Sequence, residues 1–259
     1  SLARDISDAP MHVRGDFPEW LEESLVRAFG ESAAEEGRLL SSRAPVDLRV
    51  NEVKTNFERA FREVSSKIKA VSESPLTRLG LRIPLRDPRA KSAAAESIPA
   101  YGKGWVEVQD LGSQVAALAA APKEGMNMLD YCAGAGGKTL ALSALLNNTG
   151  QVHAWDLDWR RLRAIWPRLK RAGTRNVQVH DGKENEVLEP FVDAMDVVFC
   201  DAPCTGTGTW RRRPDAKWRL RSTALERRMV EQDTVLNKAQ RYVKPGGRLV
   251  YVTCSVLPE

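Results

Sequence analysis

The 259-residue sequence predicts an α/β fold: a Rossmann-like, doubly wound and mainly parallel sheet, preceded by a smaller α+β region. Three observations predict it. Beyond Gly104, short apolar runs alternate with helical periods. A glycine-rich turn, Gly134-Ala135-Gly136-Gly137, joins the first of those runs to the helix that follows it. An acid, Asp156, ends the second run, 20 residues after Gly136. Strand–helix alternation builds parallel sheets with helices on both faces, and ligands bind at the carboxyl ends of their strands.

The elements follow in order. Residues 18–40 read as helix, with apolar positions at Leu21, Leu25, Val26 and Phe29. Residues 46–50 alternate as a short strand, and residues 57–71 return to a helical period. Residues 72–99, rich in Pro, Ser, Ala and charge, read as a loose connection with short strands. Residues 1–102 are therefore expected to form the accessory α+β region, and 103–259 the larger α/β domain. In the second part the strands are 126–130, 152–156, 177–179, 197–201 and 248–253. Helices are expected at 139–146, 159–171 and 223–243, the last stopped by Pro245-Gly246-Gly247.

Composition excludes several classes. Apolar residues make up 42% and charged residues 28%, values of an ordinary soluble protein. No apolar run approaches the roughly 20 residues of a membrane span. The polar opening segment, residues 1–10, does not read as a secretory signal, and the chain opens on Ser1, as an excerpt of a longer protein would. Cys132, Cys200, Cys204 and Cys254 form no Cys-x-x-Cys pair, and His12, His153 and His180 are scattered. No metal site and no disulfide framework are expected, only thiols in a reducing cytoplasm. The net charge of +5 is modest, but residues 211–241 hold ten Lys or Arg against four acids. On charge alone that stretch is equally a solvated helical face and a polyanion contact.

The glycine turn, Asp130-Tyr131-Cys132-Ala133-Gly134-Ala135-Gly136-Gly137-Lys138-Thr139, closes a strand and opens a helix. Glycines let the backbone approach a ligand, and the helix N-terminus offers unpaired amide donors. A phosphate-binding loop needs Gly where Cys132 stands, and the dinucleotide fingerprint needs a third Gly where Thr139 stands. A nucleoside cofactor without a pyrophosphate fits as well, with Asp156 placed to accept from both ribose hydroxyls. The loop by itself leaves a methyltransferase and a dehydrogenase open. The later strands decide between them.

Strand four ends in Asp201-Ala202-Pro203-Cys204 and strand five in Thr253-Cys254-Ser255-Val256-Leu257-Pro258-Glu259. In a parallel sheet both segments leave the same edge. Together with the glycine turn, Arg213-Pro214-Asp215-Ala216-Lys217-Trp218, Trp105-Val106-Glu107-Val108-Gln109-Asp110 and Asp47-Leu48-Arg49-Val50-Asn51, they make the chain resemble the Sun (Fmu, RsmB-like) family of RNA cytosine-5 methyltransferases. The resemblance runs from about Pro18 to the end. It implies S-adenosylmethionine as cofactor, held by Cys132, Ala133, Gly134, Ala135, Gly136, Gly137, Lys138, Asp156, Asp181 (on the adenine) and Asp201. It also implies an RNA-recruiting role for the accessory region, a monomer, and RNA as partner, ribosomal by family prevalence rather than transfer RNA.

The chemistry explains the residue types. Carbon 5 of cytosine is a weak nucleophile until a thiolate adds to carbon 6, which is covalent catalysis. The resemblance assigns that thiolate to Cys254, release of the product to Cys204, and the cytosine edge to Asp201. DNA cytosine methyltransferases use the Pro-Cys cysteine as nucleophile, so the second thiol favours the RNA family. Arg211, Arg212, Arg213 and Lys217 then fall where phosphates flanking an extruded cytosine would pass. A non-catalytic RNA-binding scaffold is the alternative from another class, and the two cysteines with Asp201 argue against it. Two departures stand out: Ala135 occupies a position where the family commonly has Pro, and the final strands of such a fold would lie beyond Glu259.

Overall fold

The first strand after the helical opening segment carries Val46, Leu48 and Val50 at alternate positions, the period that turns one face of a strand to a core. In the computed structural model, which describes residues 5–85 and 95–259, that strand is β1 (Val46–Val50). It lies between β3 (Gly80–Ile83) and β4 (Val106–Val108), with β2 (Ser72–Glu73) outermost, in an antiparallel sheet of order β2-β3-β1-β4. The helix Phe57–Lys67 packs on it, its start fixed by Asn56, whose side chain accepts the Arg59 N–H. Ala60 and Val64 join Leu48, Val50, Leu81 and Val106 in one buried cluster. Parts of two expected segments, residues 1–4 and 86–94, lie outside the described residues.

The other strands bury apolar residues at the centre of a second sheet, Met128 and Leu129, Val152, and Val197 to Cys200, as central parallel strands do. They are β5 (Asn127–Asp130), β6 (Gln151–Ala154), β7 (Val177–Val179), β8 (Met195–Asp201) and β9 (Val243–Val252), all parallel, in the order β7-β6-β5-β8-β9. The strand order reverses between β5 and β8, which places the crevice for a ligand at the carboxyl ends of those two strands. Met128, Val152, Val197 and Phe199 fill one side with Ala141 and Leu142, and Leu129, Val198 and Cys200 fill the other with Tyr131, Trp155 and Tyr242.

Two helix boundaries differ from expectation. Pro245-Gly246-Gly247 does not stop the long helix but lies inside β9. Val243 pairs with Met195 and Arg248 with Val197, so residues 244–247 bulge out opposite Asp196 alone. The helix expected over 159–171 is two, Trp159–Leu162 and Ile165–Ala172, because Pro167 has no N–H to donate and can sit only in a first turn.

The chain divides into two units interleaved in sequence. One comprises Pro45–Asp201 and Val235–Val252, and holds both sheets. The other comprises Ser1–Ala44, Ala202–Thr234 and Thr253–Glu259. The boundary expected at residues 102–103 falls inside the first of these, because β4 on one side of it pairs with β1 on the other. Asn51 ties the two sheets together, its Nδ2 donating to Gly104 O at 2.9 Å and Ala172 O at 2.8 Å. In the second unit the helices Glu22–Phe29 and Ala33–Ser41 enclose Phe17, Leu21, Leu25, Ala33, Trp210 and Leu257.

Inside the sheet unit, His153 Nδ1 and His180 Nε2 lie 2.9 Å apart beneath Phe191. One ring nitrogen donates and the other accepts, so the two rings cannot both be protonated. Burial, then the neighbouring His180, pulls His153 down to about 4, and burial lowers His180 as well. The unfolded chain therefore binds protons that the folded chain refuses. Stability is full above the unfolded histidine value near pH 6.5 and falls as pH drops toward 4, by roughly 1–3 kcal/mol. Urea midpoints at pH 7.5 and pH 5 check this, and a His153→Gln, His180→Gln chain is expected to lose most of the pH 5 deficit.

Candidate active site

The turn after β5 is shaped by three backbone features. Gly134 and Gly136 hold φ of +52° and +80°, which side chains other than glycine rarely adopt. The Gly134 N–H is fixed by Asp156 Oδ2 at 2.7 Å, and Asp156 Oδ1 accepts the Asp158 N–H at 2.8 Å. Gln109 supports the start of the next helix: its Nε2 donates to Gly137 O at 3.0 Å while its Oε1 accepts from buried Arg49 at 2.6 Å. The turn borders a cavity of about 280 Å³ lined by Cys132, Ala133, Gly134, Ala135, Gly137 and Lys138, with Gln109, Asp110, Arg161, Arg168 and Asp201 also on its wall.

The acids around this turn differ in state. Asp130, fully buried, accepts the Thr139 hydroxyl through Oδ2 at 2.6 Å, whereas its Oδ1 has no hydrogen-bond partner among the described residues. Burial, with help from Asp201 and Asp156, holds its carboxyl up at about 7 against the pull of Thr139 and Lys138. Asp201, half-buried, pairs with Lys138 at 2.5 Å. That contact bridges β8 to the helix after β5, across the reversal point of the sheet. Asp156 is buried, and both of its oxygens already accept backbone N–H groups, leaving only second lone pairs for a ligand. Asp181 is exposed and lines a different cavity, of about 530 Å³, with Trp155, Leu157, Trp159 and Lys183. Asp130 and Gln109 are the residues that pattern reading passed over as site members. The signal was present, since both stand in motif segments beside the residues singled out.

From Asp201 and from Val252 the chain leaves the sheet, and each exit carries a cysteine within three residues. In the unit that receives both segments, the sulfurs of Cys204 and Cys254 lie 3.0 Å apart, with no disulfide between them. A seam of hydroxyls holds the two segments together. Ser255 Oγ lies 2.9 Å from Thr205 Oγ1 and 3.2 Å from Thr207 Oγ1, and Thr207 accepts the Val256 N–H at 2.9 Å. The Gly208 N–H donates to Cys254 O at 2.9 Å, and a Cβ on Gly208 would stand 2.9 Å from that same oxygen. Glycine is required there by the close approach. Cys200 and Cys132 are different: burial pushes both thiols far up, which suits packing.

Among the expected RNA contacts, Arg211, Arg212 and Arg213 are exposed, and Arg211 also donates to the Ser42 and Arg43 carbonyls. Lys217 is a correction. It is 2% exposed, its ammonium pairs with Asp16 and bonds Ser41 Oγ at 2.7 Å, and it serves the core of its unit. A charge run read along the sequence cannot show that one member turns inward. Among the described residues no helix is long and apolar enough to cross a membrane, and no group of three or more His, Cys, Asp or Glu could hold a metal ion.

Comparison with known proteins bears on this geometry. The family model described as 16S rRNA methyltransferase RsmB/F matches residues 117–259. A probable ribosomal RNA small subunit methyltransferase B of Synechocystis is 30% identical over 247 residues, covering 93% of this chain and 54% of that protein. The ribosomal RNA small subunit methyltransferase B of Klebsiella pneumoniae is 34% identical over 246 residues, with the same coverage. The chain thus spans about half the length of the curated relatives it matches. Among solved structures, PH0851 superposes with a TM-score of 0.86 at 30% identity, over 95% of this chain and 55% of that one. A methyltransferase homologue from Pyrococcus horikoshii gives 0.79 at 27% identity, over 96% and 77%.

Proposed function

Since the chain belongs to the 16S rRNA methyltransferase RsmB/F family, we propose that it methylates carbon 5 of a cytosine in ribosomal RNA through a covalent adduct at Cys254. The observation that carries this reading is the pairing of Cys204 and Cys254, with sulfurs 3.0 Å apart on segments that leave two adjacent parallel strands. A structural role asks for one buried thiol, whereas Cys254 is exposed and Cys204 half-exposed. The proposed division places the catalytic machinery at 103–259 and an RNA-recruiting role in the chain before it.

S-adenosylmethionine is the cofactor of this family, and the residues present fit it. The orphaned Oδ1 of Asp130 is a buried acceptor suited to an ammonium, and a Cβ at Gly134, 3.1 Å from Arg161, would fill the cradle. Ala133, Gly134, Ala135 and Gly137 would hold the amino-acid end, Asp156 the ribose through its second lone pairs, and Asp181 the adenine. When bound, the cofactor supplies an electrophilic methyl group. The protein's own groups do the rest. Cys254 adds its sulfur to carbon 6 of the extruded cytosine, and electron density moves to carbon 5. Asp201, steadied by Lys138, holds the cytosine edge at ring nitrogen 3. After carbon 5 carries its methyl, Cys204 takes the carbon 5 proton, the bond from carbon 6 to Cys254 breaks, and the ring regains its double bond.

The experiment is to incubate the Cys204→Ala chain with small-subunit ribosomal RNA and S-adenosylmethionine and resolve the mixture on a denaturing gel. A slowly migrating protein–RNA adduct is expected, and it disappears when Cys254→Ala is added. Methylation by the wild-type chain without any trapped adduct would refute the division of labour between the thiols. Inertness of both chains would favour a scaffold that keeps the fold.

A further inference from the structure

Residues 159–171 carry six Lys or Arg and no acid, more positive charge than the +5 of the whole chain. Tertiary structure sorts these cations. Arg168 and Arg171 turn inward to Glu107, at 3.4 Å and 2.6 Å, and Arg168 also donates to Ala135 O at 2.7 Å. Arg161 lies on the wall of the loop cavity. Arg160, Arg163 and Lys170 remain exposed, and no carboxylate among the described residues pairs with them. Between them stand two large aromatic rings that a soluble domain would ordinarily bury: Trp159 is 44% exposed and Trp166 56%.

Trp159, Arg163, Trp166 and Lys170 recur at the spacing of i, i+4, i+7 and i+11, which is one face of a helix. The break between Leu162 and Ile165 does not disrupt that face, because Arg163 and Ala164 keep right-handed helical angles. Arg163 lies over the Trp159 ring, 5.0 Å from its centroid. The result is an outward stripe that alternates aromatic and cationic side chains. Such alternation suits single-stranded nucleic acid, whose bases stack on rings while its phosphates meet guanidinium and ammonium groups. A protein partner would want fewer charges at the centre of its contact.

We propose that the Trp159–Arg163–Trp166–Lys170 stripe, flanked by Arg160, is a docking surface for a single-stranded stretch of RNA distinct from the target nucleotide. The proposal rests on the reading of the chain as an RNA methyltransferase and adds to it a second point of contact. The stripe belongs to the connection from β6 to β7, on the opposite half of the sheet from β8 and β9, whose ends lead to the two thiols. Site choice then depends on RNA shape as well as on the cytosine.

The test compares the wild-type chain with Arg160→Glu/Arg163→Glu and with Trp166→Ala. The probe is a fluorescein-labelled single-stranded RNA of about 20 nucleotides, long enough for more than one contact. Anisotropy titrations at several salt concentrations give affinity and salt slope, and calorimetric S-adenosylmethionine binding reports on the neighbouring loop. The double charge reversal is expected to weaken RNA at least about tenfold and to lower the logarithmic salt slope by about 1.4, the loss of two phosphate contacts. Trp166→Ala is expected to weaken RNA at least about fivefold, with Trp166→Phe restoring most of it. An unchanged RNA affinity and salt slope in the charge-reversed chain overturns the proposal and points to a protein on this face. If the reversal also disturbs cofactor binding, Arg160→Gln/Arg163→Gln decides by the same slope. These titrations need no turnover, so a missing Cys254 adduct and a missing stripe effect are separate failures.

Discussion

Cys254→Ala is expected to lower methyl transfer to RNA by roughly 10⁴-fold or more, while S-adenosylmethionine binds with its wild-type affinity. The size follows from the reaction. Without an atom added at carbon 6, carbon 5 of cytosine has no electron density to offer, and no neighbouring group can substitute. Cys204 lies 3.0 Å away by sulfur but on a separate segment, whose next residue, Thr205, is held by the Ser255 hydroxyl at 2.9 Å. The unchanged cofactor affinity follows from the division of roles: the cofactor is assigned to the turn after β5 with Asp156 and Asp181, and Cys254 is not among those residues. Incorporation of labelled methyl into RNA and cofactor calorimetry measure the two quantities. A residual rate within about tenfold of wild type would sink the role assigned to Cys254.

Gly136→Ala is expected to destabilise the chain by about 2–4 kcal/mol and to abolish measurable cofactor binding. Two costs combine. Gly136 sits at φ +80° at the start of the helix Gly137–Leu145, a conformation that strains any side chain. Its added Cβ would also stand 2.3 Å from Cγ1 and 3.2 Å from Cβ of Ile165, which is fully buried and β-branched. Ile165 shares its cluster with Leu140, Leu162 and Leu169 and has no space to yield into. Either the turn or the helix behind it must shift, and the turn is the part exposed to the cavity. Thermal melts with cofactor titration check both. Ala at Gly137, whose Cβ meets only the far end of Arg168 at 3.7 Å, is the mild control.

Much of this was legible in the sequence. The five parallel strands, the glycine turn and the two cysteines at strand ends are local patterns, set by residue periodicity and by the backbone freedom of glycine. Where reading along the chain went astray, distant residues had the deciding vote. Pro245-Gly246-Gly247 read as a helix stop, but pairing with β8 drew it into a bulged strand. Lys217 read as an RNA contact, yet Asp16 and Ser41, about two hundred positions earlier, hold it in a core.

The sequence by itself determined the fold class and the family and singled out the two thiols proposed to react, because each rests on short segments whose residue types carry their own chemistry. Tertiary structure decided which charges face inward and which face out. It left Asp130 with an oxygen unsatisfied among the described residues and Gln109 as a brace, and it turned Trp159, Arg163, Trp166 and Lys170 outward while Glu107 took up their neighbours. The physical reason is that periodicity and motif spacing act over a few residues, whereas burial and ion pairing depend on partners that only folding brings near.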